Sequence, residues 1–119
     1  MRDTTNPTYS GPDGTYLDVR PAPARAPEGA VLLNVSGHAF GLKHIVIVKL
    51  VDLLAGRSRG RELHVAISED AVLILRVVVS MEGADFAVFN DGTPTHQVFV
   101  PAEHGLGVAS QIAVAGMVS

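Results

Sequence analysis

The sequence contains no cysteine and no tryptophan, and its aromatic residues are only four phenylalanines and two tyrosines. The absence of cysteine excludes disulfides, thiolate-ligated zinc sites and cysteine nucleophiles. The low aromatic content argues against sugar-binding and single-strand nucleic-acid-binding surfaces, because both depend on aromatic stacking. A net charge of −3 also argues against a nucleic-acid partner, which would need a basic surface.

The N-terminal residues lack the apolar core of a signal peptide, and no apolar run is long enough to span a bilayer. We therefore expect no membrane partner and an intracellular location, or a place in a particle that is assembled inside a cell. The composition is globular, because 47 % of the 119 residues are hydrophobic, which is enough for one core. No internal repeat is visible in the sequence.

Residues 71–79, with the sequence AVLILRVVV, are the most strand-like stretch of the chain. β-Branched side chains dominate it, and these fit a pleated sheet better than a helix. The run is apolar on both alternating faces apart from Arg76, which predicts a strand covered on both sides. A helix capped by residues 68–70 is the alternative. A buried Arg76 needs a partner, so it either pairs with a carboxylate or lies on a face toward solvent or another subunit.

Shorter alternating runs predict further strands, at residues 15–19, 30–35, 62–67, 85–90 and 95–100. The runs on either side of Asp91-Gly92 predict a hairpin, and 62–67 should form another hairpin with the central run. Pro94 and Pro101 bracket one run and place it at a sheet edge. A last strand is expected within 108–118, where four branched side chains share a parity: Val108, Ile112, Val114 and Val118.

Two segments between these runs are less regular. Residues 36–41 contain two glycines and are expected to form a loop. Residues 45–48 resemble a strand and residues 49–55 the end of a helix before Gly56, so we predict a strand passing into a short helix. The predicted fold is mainly β: a small antiparallel β-sandwich or barrel of about six or seven strands, with at most one short helix.

Residues 1–29 are expected to form an extended N-terminal arm attached to a β-rich domain of residues 30–119. Five of the seven prolines lie in this arm, and residues 20–29 resemble a stiff polyproline-II segment. A disordered terminus is the alternative. An arm that docks on a neighbouring subunit has four large apolar anchors available: Tyr9, Tyr16, Leu17 and Val19.

Residues 98–105, with the sequence VFVPAEHG, place a Pro-Ala pair at the end of a predicted strand, shortly before a histidine. This stretch resembles the second motif of the cupin barrels, in which such a strand leads to a metal-binding histidine. The resemblance implies His96, Glu103 and His104 as candidate metal ligands, with a surface histidine as the alternative. The first cupin motif has no match upstream, so we assign neither a metal nor a cofactor. No Gly-x-Ser-x-Gly nucleophile elbow occurs, and we assign no catalytic residue.

Charge is divided along the chain. Residues 43–61 hold five basic residues and one acid, whereas residues 62–119 hold seven acids and one basic residue. In a monomer these charges would simply mix on the surface. In an assembly the basic loop residues Arg57, Arg59 and Arg61 could face acids of a neighbouring copy in a head-to-tail contact.

The sequence favours a non-enzymatic structural subunit that packs through its arm against copies of itself or a larger protein shell. A virion decoration or head-tail protein is one concrete form. The alternative is a small-ligand or metal-binding β-barrel, with a cupin-like site. An accessory domain that contacts another protein through the basic loop is a third interpretation, which the sequence does not separate from the first.

Overall fold

The computed structural model describes residues 8–22, 30–57 and 60–118. These residues form eight strands and two helices, which follow one another in this order: β1 Tyr9–Ser10, β2 Tyr16–Pro21, β3 Val31–Val35, β4 His38–Leu42, α1 His44–Leu54, β5 Glu62–Ala66, β6 Leu73–Val79, β7 Gly83–Asn90, β8 Thr93–Pro101 and α2 Ala102–Val118. The strands form two four-stranded antiparallel sheets, ordered β1-β2-β3-β4 and β5-β6-β7-β8. The fold is therefore mainly β, as predicted, and a sandwich of two sheets is consistent with it.

The chain runs through the same order of elements twice, with four consecutively paired strands followed by one helix. In each half a two-residue turn joins the third and fourth strands, at Ser36-Gly37 and at Asp91-Gly92. All four turn residues have positive φ, at 48° and 109° in the first turn and 50° and 83° in the second. Such turns match the twist of a hairpin. The predicted Asp-Gly hairpin is confirmed, and β8 is an edge strand as its prolines indicated.

The core lies between the inner faces of the two sheets and the two helices. Alternate residues of the strands enter it, among them Leu33, Leu75 and Phe86, each with no exposed surface. The helices add residues at helical spacing: Ile47, Leu50 and Leu53 from α1, and Val108, Ile112 and Ala115 from α2. Among the described residues no polar or charged side chain is fully buried. No described helix has the length and apolar character needed to cross a membrane.

The predicted strand at residues 45–48 is wrong, because helix α1 covers the whole span His44–Leu54. Only the helical second part of that prediction is confirmed. Ile47 and Leu50 are buried three residues apart, whereas Ile45 and Val48 are 60 % and 44 % exposed. Packing of one helical face against the core thus outweighs the strand propensity of the β-branched residues.

The predicted C-terminal strand is also wrong, because residues 102–118 form the 17-residue helix α2. The buried residues Val108, Ala109, Ile112 and Ala115 recur at the spacing of one helix face, and Val114 is 54 % exposed. Two of these core positions are alanines, so a pattern read from the large side chains alone misses the face. The expectation of at most one short helix fails with it.

The N-terminal part of the chain contributes two strands to the first sheet. Strand β2 pairs along its length with β3, and β1 pairs with the first two residues of β2. An arm separate from the domain is therefore not confirmed, and residues 1–7 and 23–29 of the predicted arm lie outside the described residues. The predicted loop at 36–41 is confirmed only for Ser36-Gly37, since β4 begins at His38. These additions give eight strands where six or seven were expected.

The central run forms strand β6, paired with β5 on one side and β7 on the other. Its hairpin with β5 was predicted and is confirmed. The prediction that both faces are covered is only half right. Leu75 and Val77 face the core with no exposed surface, but the alternate residues Ile74, Arg76 and Val78 are only half-buried. This second face of β6 belongs to the outer surface of the molecule.

Candidate functional site

The outer faces of the two sheets differ in chemistry. On the β1–β4 sheet the outward residues are polar or small except Tyr16 and Leu32, and Arg20 Nε lies 2.9 Å from Asp18 Oδ2. On the β5–β8 sheet the outward positions are set by alternation with the buried core residues. Four of them are large apolar side chains, Ile74, Val78, Phe89 and Phe99, and two more are alanines, Ala66 and Ala87. We call this surface the outer face of the second sheet.

Arg76 lies at the centre of this outer face. In the strand register it is opposite His64 on β5 and Ala87 on β7. Its Cζ atom lies 4.7 Å from the ring centroid of Phe89, which is a cation–π contact. Its Nε is buried and has no hydrogen-bond partner among the described residues. No carboxylate in the described part of the chain pairs with it, so Arg76 marks an outward surface and not an internal ion pair.

Two carboxylates share the outer face with Arg76. Asp85 is opposite Val78 and accepts a 2.9 Å hydrogen bond from Gln97 Nε2. Glu62 is opposite Val78 on the other side, and its Oε1 lies 3.1 Å from His64 Nε2. Phe99 on β8 lies opposite Asp85 and is 42 % exposed. The face thus combines partly buried apolar side chains and the exposed ring of Phe99 with separated charges of both signs.

The candidate metal ligands do not meet at one point. His96 on β8 has its ring centroid 5.2 Å from that of His38, whereas His104 packs 5.2 Å from the ring of Tyr9. Glu103 and His104 lie in the first turn of α2, so the cupin-like stretch ends at a strand-to-helix junction. Across residues 8–22, 30–57 and 60–118, no group of three or more His, Asp or Glu side chains could hold a metal ion.

The predicted arm anchors are spread through the first sheet. Leu17 has no exposed surface and belongs to the core, and Tyr9 and Val19 pack against the core from β1 and β2. Tyr16 is half-buried at the start of β2. The residues of the basic loop also differ in their surroundings. Arg57 Nη2 lies 3.2 Å from Asp52 Oδ1 of its own chain, whereas Arg61 is exposed. Arg59 lies outside the described residues.

Two shallow grooves accompany the helices. One, of about 190 Å³, lies between α1 and β5 and is lined by Lys49, Asp52 and Glu62 among others. The other, of about 280 Å³, lies between β2 and α2, with Val19, Pro21 and Val114 in its wall. Both are open to solvent and neither contains a cluster of reactive groups. The side chains that line the grooves therefore indicate a binding partner less clearly than the side chains of the outer face of the second sheet.

One ionisable group in the described residues has a clear pKa shift. The hydroxyl of Ser68 donates a 2.6 Å hydrogen bond to Asp70 Oδ1, and the amide of Val72 donates another at 3.2 Å. Both lower the pKa of Asp70 below its ordinary value of 3.8. Asp70 lies in the exposed turn between β5 and β6, so these two hydrogen bonds stabilise its ionised form within that turn.

The sequence contains a signal for the outer face of the second sheet, but that signal predicts a buried face and not an outward one. The 71–79 run is apolar on both faces, which predicted two covering layers. Within the described residues, one face of this strand packs on the core and no second layer covers the other. Comparison of the chain with protein-family models, with curated proteins and with solved structures found no match.

Proposed function

We propose that this protein is a non-enzymatic assembly subunit that docks onto another protein surface through the outer face of its second sheet. The observation that carries the proposal is the chemistry of that face, where Ile74, Val78, Phe89 and Phe99 lie outward on three adjacent strands. An antiparallel sheet with one solvated face normally carries polar residues there. A rimmed apolar patch on a soluble domain is typical of a protein interaction site.

The contrast with the first sheet strengthens this interpretation. Both sheets have the same number of strands and the same connection order, yet the outward residues of β2 are Tyr16, Asp18 and Arg20, whereas those of β6 are Ile74, Arg76 and Val78. A general need for solubility would act on both faces alike. The difference favours a covering partner for the second sheet alone.

The expected gain on docking is modest for each side chain. Full burial of a phenylalanine contributes roughly 1.5–3 kcal/mol. In the structure less than half of the Phe99 surface remains exposed and available for burial by a partner. Phe99 would therefore add about 1 kcal/mol. Several such contributions are needed to offset the loss of freedom on association. A repeated shell or particle, such as a virion with decoration or head-tail subunits, supplies many such contacts and is one setting for this subunit.

In this proposal the N-terminal strands contribute to folding and not to docking. Leu17 is already part of the core, so it is not available to a neighbouring chain. The basic loop takes a secondary role, since Arg57 is already paired with Asp52. The docking surface is the sheet itself.

The test is site-specific photo-cross-linking in the cells that naturally produce the protein. A photoreactive phenylalanine analogue replaces Phe99 in the full chain, and in a matched control it replaces Leu106, which is 69 % exposed on α2. We expect a protein adduct from position 99 and little from position 106. The absence of any adduct at position 99, or equal adducts at both positions, would contradict the proposal.

A further inference from the structure

Four outer-face residues of β6 and β7 form a square in the sheet register. Val78 is paired with Asp85, and Arg76 is paired with Ala87. One diagonal of this square therefore carries a cation and an anion, Arg76 and Asp85, and the other carries two apolar residues, Val78 and Ala87. We call these four residues the charge square.

We propose that the partner of this face is a second copy of the same chain, held by two reciprocal contacts between Arg76 of one copy and Asp85 of the other. This inference rests on the proposed function and specifies its partner. It follows from the symmetry of the charge square. A two-fold axis that lies in the interface along the apolar diagonal places the Arg76 corner of one copy over the Asp85 corner of the other. Each Arg76 then faces an Asp85, while Val78 and Ala87 lie near the axis. Isologous dimers have this reciprocity.

Both charged groups have unused hydrogen-bonding capacity for such a contact. The Arg76 guanidinium has five N–H donors, and no carboxylate in the described part of the chain pairs with it. The Phe89 ring positions it, since its centroid lies 4.7 Å from Cζ. The Asp85 carboxylate accepts one bond from Gln97 through Oδ1, and a carboxylate can accept several.

The alternative of a single dissimilar partner is less well supported by the face itself. A basic partner would meet Arg76 and an acidic partner would meet Asp85, so either would bring like charges together, which is destabilising. A surface with both signs on one diagonal is complementary to its own copy. Phe99, opposite Asp85 on β8, then adds apolar contact next to each ion pair.

The size of the face indicates how tight the dimer should be. Four strands are about 19 Å wide, and the eight residues of β7 extend about 26 Å. The face therefore offers on the order of 500 Å², which is below the roughly 800 Å² per partner of standard stable interfaces. We expect a weak dimer with a dissociation constant in the micromolar range or above, and weaker association in high salt.

The test is sedimentation equilibrium of the full chain from micromolar to millimolar concentration, with charge-swap variants. Arg76→Asp and Asp85→Arg should each weaken the dimer about tenfold or more, since each creates two like-charge contacts. The double variant should return to within about threefold of the original constant, because it restores both pairs in reverse. Glu69→Arg makes the same charge change as Asp85→Arg in an exposed turn, and should leave the constant unchanged.

Circular dichroism verifies that each variant is folded, and Arg76→Gln replaces Arg76→Asp if the latter unfolds. A chain that is monomeric at every concentration overturns the inference, as does a dimer that ignores both single changes or is not rescued by the double change. The cross-link at position 99 separates the two proposals. An adduct with a different protein overturns self-association and leaves the assembly function standing, whereas the absence of any adduct removes both.

Discussion

The hydroxyl of Ser36 donates a 2.7 Å hydrogen bond to the carbonyl oxygen of Gln97, 61 residues further along the chain. Ser36 lies in the turn between β3 and β4, and Gln97 lies on β8, so this bond joins the two sheets. The same hydroxyl accepts a 3.1 Å bond from the amide of Tyr16, whose carbonyl receives the Ser36 amide at 2.9 Å. One side chain thus connects β2 and β8 with the turn between β3 and β4.

Ser36→Ala should destabilise the protein by about 1 kcal/mol, because a hydrogen-bonded hydroxyl is lost. Ser36→Gly should cost less, since the φ of 48° at this position is taken by glycine without a Cβ penalty. Urea denaturation of the two variants measures the difference. An equal loss in both would show that the turn conformation contributes no strain, and no loss in either would remove the bond from the stabilising contacts.

Leu75→Ala should cost roughly 2–5 kcal/mol, because it removes a core side chain with no exposed surface. Its chain neighbour Ile74 points to the half-exposed outer face, so Ile74→Ala should cost clearly less when both are measured at protein concentrations that keep the chain monomeric. Chemical denaturation compares the two. Similar losses would mean that the two faces of β6 are covered to the same degree.

Gly83→Ala should be strongly destabilising. A Cβ added at Gly83 would come within 2.9 Å of Pro101 Cα and closer still to the carbonyl oxygen of Val100, and backbone atoms of β8 cannot move aside without breaking the pairing. Gly107 is the matched control, because it lies inside α2 with no atom within 4 Å of an added Cβ. Gly107→Ala should stabilise the protein, by up to about 1 kcal/mol. Thermal unfolding of both variants should therefore show shifts of opposite sign.

The Asp70 carboxyl should titrate below its ordinary pKa of 3.8 in the folded protein. Because the folded pKa is lowered, the turn is stabilised at all pH values above the ordinary range, and this contribution disappears as the pH falls through the lowered value. Removing the Ser68 hydroxyl with Ser68→Ala should raise the pKa of Asp70 toward 3.8. Carboxyl-carbon NMR follows the titration. An identical curve for Asp70 in both proteins would contradict the role of Ser68.

The second sheet could be predicted from the sequence to a large extent. Two of its three hairpins follow from alternation and from Asp91-Gly92, where local turn chemistry and strand pattern agree. The helices were harder. In α1 the β-branched run at residues 45–48 has strand propensity, and only contact with the core selects the helix. In α2 the inward alanines carry little pattern, so the spacing of the large residues was misleading.

The candidate site could be identified only from the structure, because it depends on which residues of β6 and β7 are paired with each other. Arg76 and Asp85 are nine positions apart on two strands, and the sequence alone does not tell that they occupy one diagonal of a square. The charge pattern along the chain suggested a contact between distant blocks through Arg57, Arg59 and Arg61. The structure instead places one cation, Arg76, and one anion, Asp85, at opposite corners of the charge square on adjacent strands. The 71–79 run predicts a strand paired on both sides, which β6 is, but it also predicts a cover on the second face that the described part of the chain does not supply.

In the part of the chain that the structure describes, every strand pairs only with strands next to it in sequence, and the connection from Leu54 to Glu62 links the two halves. Among these described strands no hydrogen-bonded ladder crosses from one half to the other. Each half therefore carries all the backbone partners of its own sheet, and the halves meet through side chains of the core, the helices and Ser36. A chain cut within that connection should give two fragments that recognise each other and recombine, which makes this domain a candidate for a split reporter.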